Sequence, residues 1–130
     1  AMRITVTNLV VSASLTVNGH IVSGGNTPGI GAGAAACTAP AVSITGTDTS
    51  GTIQVVVGSG CSASGLLATV TYATAFGSPP HITLTPGNAA ALALGAYVDN
   101  ATASATTFGI GTNTVPVTGT TYEWNYQVIQ

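Results

Sequence analysis

The closing ten residues, Thr121-Tyr122-Glu123-Trp124-Asn125-Tyr126-Gln127-Val128-Ile129-Gln130, constrain the fold more than any other stretch. Taken alternately, they put Tyr122, Trp124, Tyr126 and Val128 on one side and Glu123, Asn125, Gln127 and Ile129 on the other. Successive side chains of a strand point to opposite faces, so this pattern predicts a β-strand with one buried side. The stretch holds the sole Trp and two of the four Tyr. Aromatic rings carry the largest apolar area per residue, and the core is expected to assemble against them.

Elsewhere the 130 residues supply little bulk. Two Phe complete the aromatic set, and the apolar fraction rests mainly on Ala and Val, which bury little area each. The length predicts one domain, or one domain with an extension. The scarcity of large side chains predicts an oligomer that draws buried surface from neighbouring copies.

Charge narrows the partners. Arg3, Asp48, Asp99 and Glu123 are the only charged side chains, and Lys is absent. Binding a phosphate backbone requires clustered Lys or Arg, which excludes nucleic acid. A polybasic membrane contact is excluded for the same reason. The longest apolar run, 89–97, is interrupted by Gly95 and is far too short to span a bilayer, so no membrane insertion is expected. No signal peptide is read, and Ala1-Met2 reads as a remnant ahead of an excised fragment. A surface of hydroxyls and amides favours neutral partners such as sugars. No cofactor is implied.

Along the chain, Ile4 and Val6 alternate with Thr5 and Thr7, and Val11, Ala13, Leu15, Val17 and Ile21 alternate with Ser12, Ser14, Thr16, Asn18 and Val22. With the Asn18-Gly19 turn signal, residues 1–23 are expected to form short strands of a β stalk, which cannot bury an apolar side alone and either winds with copies of itself into a trimeric stalk or lies on the following domain. Residues 24–40 are dominated by Gly, Ala and Pro and are read as a linker. From Ala41 onward, strands are expected around Val42 and Ile44, around Ile53, Val55 and Val57, and with Leu66, Ala68, Val70 and Tyr72 on one face. Further strands are expected around Ile82 and Leu84, from about Leu94, around Phe108 and Ile110, and at the C-terminus. Residues 90–98 suit a short helix as well as a strand; Gly95 and the neighbouring strands favour strand from Leu94, and no helix-capping signature is read. Short strands at this spacing predict an all-β, antiparallel sandwich over 41–130. Cys37 and Cys61 either form a disulfide, which would contribute about 3 kcal/mol, or remain two small buried thiols.

Several phrases in this segment carry a resemblance: 46–53 (Gly-Thr-Asp-Thr-Ser-Gly-Thr-Ile), 68–76 (Ala-Thr-Val-Thr-Tyr-Ala-Thr-Ala-Phe) with Pro80, 84–90 (Leu-Thr-Pro-Gly-Asn-Ala-Ala), Tyr97-Val98 and 121–126. In these phrases, residues 41–130 resemble the C-terminal domains of bacteriophage tail fibres and tail spikes. Asn18-Gly19-His20-Ile21 resembles stalk segments of the same fibres. The resemblance implies a homotrimeric, extracellular knob on a virion that binds a host cell-surface carbohydrate, or a structural trimerisation cap with no ligand of its own. Val70-Thr71-Tyr72, Phe76, Pro80 and the Trp124 strand are also similar in layout to the H-type lectins, trimeric antiparallel sandwiches that bind sugars between subunits. The basic residue of that sugar site has no counterpart here, because Arg3 lies outside the domain, and no pocket is carried over.

For sugar binding, aromatics that stack on pyranose faces and short amides or carboxylates are the useful groups. Tyr97, Asp99, Asn100, His81, Trp124, Tyr122 and Asn125 are the candidates. Tyr97 with Asp99-Asn100 at a strand end is favoured, since recognition groups gather on loops at the tips of rigid sheets. For Trp124, Tyr122 and Tyr126 core packing is the better reading. Three acidic residues, two of them in turns, make a glycosidase pair a poor expectation, and no catalytic motif is present, so no enzyme is expected. His20 of three stalk copies could meet near a threefold axis and hold a metal or anion, although an exposed His is the plainer reading.

Overall fold

The computed structural model describes residues 2–130. It is all-β, with eight strands in two antiparallel four-stranded sheets and one short helix. The strands are β1 (Gly29–Ala32), β2 (Ala41–Gly46), β3 (Ser50–Val56), β4 (Gly65–Thr71), β5 (His81–Pro86), β6 (Tyr97–Asp99), β7 (Thr107–Thr112) and β8 (Thr121–Ile129). One sheet has the order β1-β4-β7-β6 and the other β2-β3-β8-β5.

The aromatic strand occupies the position its pattern predicts. β8 lies inside its sheet between β3 and β5, and Tyr122, Trp124, Tyr126 and Val128 are buried on its inner face. Facing them from the other sheet are Leu67, Ala68, Val70, Phe108 and Ile110. One aromatic contact crosses between the sheets, with Phe108 6.3 Å from Tyr126, and it continues along the other sheet's end as Phe108 lies 5.8 Å from Tyr72 and Tyr72 meets Phe76 edge-on at 4.8 Å. Such ring pairs add about 0.5–1.5 kcal/mol each beyond the area they bury. The two apolar faces therefore cover one another within one chain, and the sandwich-like body closes its own core.

Three expectations need correction. Residues 24–40 are not a linker throughout. β1 forms there and pairs Ile30 with Val70 and Ala32 with Ala68, after which Ala35 and Ala36 are buried in a 3-10 turn. Small side chains gave this strand no period to read; the exposed edge of β4 supplies its hydrogen bonds. Leu66 does not share the inner face with Ala68, because the register shifts between them and Leu67 turns inward instead, as a β-bulge does. Residues 89–94 form a helix, α1 (Ala89–Leu94). It is capped after all: Asn88 Oδ1 accepts from the Ala91 amide at 2.8 Å and Gly95 ends it in the left-handed region.

The stalk expected at the N-terminus stands apart from these, because its strands are expected to wind with other copies. Residues 2–28 carry neither helix nor strand, since a lone ribbon with an apolar face has nothing to pair with. This arm joins the body where Ser23 Oγ bonds Thr47 Oγ1 and Ser50 Oγ, and where Thr27 Oγ1 donates to the Gly46 carbonyl. Of the two cysteine readings, the disulfide is the one formed: Cys37 and Cys61 are bridged with Cα atoms 5.0 Å apart. It lies at the opposite end of the strands from the arm, beside the Thr38–Ser59 bridge.

Candidate functional site

Strand alternation that buries Trp124 must turn its neighbours outward, and the outer face of β2-β3-β8-β5 is where those neighbours collect. Register sets them in rows. One row crosses all four strands as Thr45, Thr52, Asn125 and Thr85. Above it lie Ser43, Gln54 and Glu123, and below it Ser50, Gln127 and Thr83. Rows on one face of a sheet stand about 7 Å apart and neighbouring strands about 4.8 Å apart, so these side chains make a close grid of hydroxyls and amides. Glu123 is its only charged member.

Two hydrogen bonds within the grid fix the rotamers at its centre. Gln54 Nε2 donates to Glu123 Oε1 at 2.8 Å, and Thr52 Oγ1 donates to Asn125 Oδ1 at 3.1 Å. Accepting through its oxygen leaves the Asn125 amide N–H groups for another acceptor. Beside it a shallow depression of about 220 Å³ is lined by Thr83, Thr85, Asn125, Tyr126 and Gln127. A neutral polyhydroxyl ligand needs donors and acceptors in mixed array, which this face offers on a rigid support.

The residues proposed from sequence are dispersed. Trp124 and Tyr122 stack on each other in the core and are 0% and 2% exposed, so neither offers a face to a sugar. Asn125 lies in the grid, and His81 is exposed at the start of β5, opposite Ile129 of β8. Tyr97, Asp99 and Asn100 belong to the other sheet, at its β6 edge. Tyr97 is 42% exposed and its ring lies across Gly111, where an added Cβ would stand 2.6 Å from Tyr97 Cζ. Asp99 is engaged locally: Oδ1 accepts from the Ala101 amide at 3.0 Å, closing the turn that presents Asn100. Thr45, Thr52, Gln54, Thr83, Thr85 and Gln127 escaped sequence reasoning. Their signal was the polar half of each strand's alternation, which becomes a surface only when register aligns the strands.

Each acidic side chain accepts a hydrogen bond within the fold. Asp48 accepts from the Ala73 and Thr74 amides at 2.7 and 2.8 Å, tying the β2–β3 turn to the loop after β4. Asp99 and Glu123 are held as described above. Among the described residues, no three His, Cys, Asp or Glu side chains gather into a metal-binding group, and no helix is long and apolar enough to cross a membrane. His20 is exposed on the arm. Compared with known proteins, the chain matches no family model, no curated protein and no solved structure.

Proposed function

We propose that this chain is the tip module of a phage tail fibre or tail spike, acts as a homotrimer, and binds a host cell-surface carbohydrate on the outer face of β2-β3-β8-β5. The observation that carries the reading is the three-row grid centred on Thr52 and Asn125, neutral except for Glu123. A face without cationic side chains gives no advantage to anionic ligands, and its mixed donors and acceptors suit sugar hydroxyls. A shallow face binds one sugar weakly, and three copies on one fibre raise the effective affinity by avidity. Trimer formation is supported by the arm, whose apolar residues have no cover within the chain.

A second reading is a purely structural cap that holds three chains in register. It is favoured by the lack of an exposed aromatic on the grid, since sugar-binding faces usually stack a ring on the ligand. Glycan-array binding by the full chain separates the two. The carbohydrate reading expects a signal that disappears in Asn125→Ala combined with Thr85→Ala, two exposed positions outside any proposed contact between copies, whose change leaves far-UV circular dichroism and mass unaltered. Silence across neutral glycans from a correctly assembled chain would decide for the cap.

A further inference from the structure

The end of the body where the arm enters carries an open cleft of about 570 Å³, lined by Ile21, Ser23, Thr49, Ser50, Phe76, Gln127, Val128, Ile129 and Gln130. Ile21, Phe76, Val128 and Ile129 give it apolar surface, and Ser23, Thr49, Ser50, Gln127 and Gln130 add hydroxyls and amides. We infer that this cleft is the seat for the arm of a second copy of the chain, which lays apolar residues of its 11–17 segment against Phe76 and Ile129. The inference rests on the trimer reading above and specifies which surface joins the copies.

Three features favour this occupant. The arm carries large apolar side chains with no cover, among them Leu15 at 65%, Ile21 at 84% and Val22 at 85% exposure. Uncovered apolar side chains concentrated in one segment mark an interaction surface. Position is the second feature. The arm's own Ser23 is pinned to Thr47 and Ser50, so Ile21 and Ser23 of each arm form one wall of its own cleft and the mouth stays open. Copies placed around a common axis bring the arm of one past the cleft of the next, a head-to-tail contact that closes into a ring. The third feature is charge: no charged side chain lines the cleft, and Arg3 is the only charged side chain of the arm. A neutral apolar segment loses no ion hydration on entering, whereas a charged partner would.

The test is light scattering of the full chain at micromolar concentration, with Ile129→Asp as the probe and Leu92→Asp as the control. Both positions are 70% exposed, but Leu92 lies on α1 at the other end of the body. We expect the unmodified chain and Leu92→Asp to have the mass of three chains and Ile129→Asp to have the mass of one, with the melt of the body retained. Should Ile129→Asp lose its cooperative melt, Ile129→Thr keeps a β-branched residue on the strand and is expected to weaken the trimer in the same direction. A trimer that survives both substitutions overturns the cleft as the seat and leaves the trimer reading standing. A monomeric unmodified chain overturns both, while the glycan array still judges the carbohydrate face.

Discussion

At the scale of single residues, two close contacts around Tyr126 hold one end of the body together. Its hydroxyl donates to the Thr47 carbonyl at 2.5 Å, and its ring lies across Gly51 on the neighbouring strand. A Cβ added at Gly51 would collide with the Thr45 carbonyl oxygen and stand 2.7 Å from the Tyr126 hydroxyl. Gly51→Ala must therefore move backbone or a buried ring. It is expected to cost about 2 kcal/mol or more, read as a lower urea midpoint with an unchanged slope. The same neighbourhood sets an alkaline limit. Burial, reinforced by the nearby Asp48 carboxylate, pushes the Tyr72 and Tyr126 phenols up to about 12, and for Tyr72 the Tyr126 phenol adds to the push. In the unfolded chain both phenols ionise near their ordinary value of about 10. Their contribution is complete below pH 10 and is lost as pH rises toward 12, because over that interval the folded state alone keeps the protons. Thermal melts should be flat through neutral pH and fall steeply above pH 10. A melting temperature unaffected at pH 11 would contradict the burial of both hydroxyls.

At the scale of elements, what was legible depended on whether a segment carries its own period. β8, β3 and β5 did: alternating Trp124 with Asn125, Ile53 with Gln54 and Leu84 with Thr85 declares both the strand and its inner face. β1 did not, because Gly29-Ile30-Gly31-Ala32 becomes a strand only through its pairing with β4. α1 was ambiguous for a related reason. An Ala-rich run fits either state locally, and the Asn88 cap that settles it is itself tied to β8 through Nδ2 donating to the Thr121 carbonyl at 3.1 Å. The site was harder still, since the polar grid exists only after four strands are in register. The disulfide belongs to this scale too. It joins the segment after β1 to the loop after β3, so that β2 and β3 lie within the closed loop. On the chain-entropy account such a loop contributes about 3 kcal/mol. Denatured, unreduced protein is expected to show no free thiol, and reduction should lower the unfolding free energy by about that amount. One free thiol per cysteine in the denatured chain would contradict the bridge.

At the scale of the whole molecule, the chain divides into a body that covers its own apolar faces and an arm that does not. Trp124, Phe108, Ile53 and Ile110 are all 0% exposed within one chain, so the body does not depend on neighbours for its core. The paucity of bulky residues suggested that sheet faces would be pooled between copies; the sheets instead close on each other, and most of the large apolar side chains left exposed lie on residues 2–22. This separation makes a deletion informative. Removing residues 2–22 keeps Ser23 and Thr27, the two side chains that fasten the arm to the body, and removes no strand. The truncated chain is expected to melt as cooperatively as the full one and to have the mass of a single chain. On the proposed function, its binding to a carbohydrate surface is expected to weaken by about 10²–10⁴, the usual loss when linked sites become single ones. Its affinity for the same sugar free in solution should not change, because the grid on β2-β3-β8-β5 is untouched. A truncated chain that remains trimeric would place the association on the body, and one that unfolds would show that the arm contributes to the core.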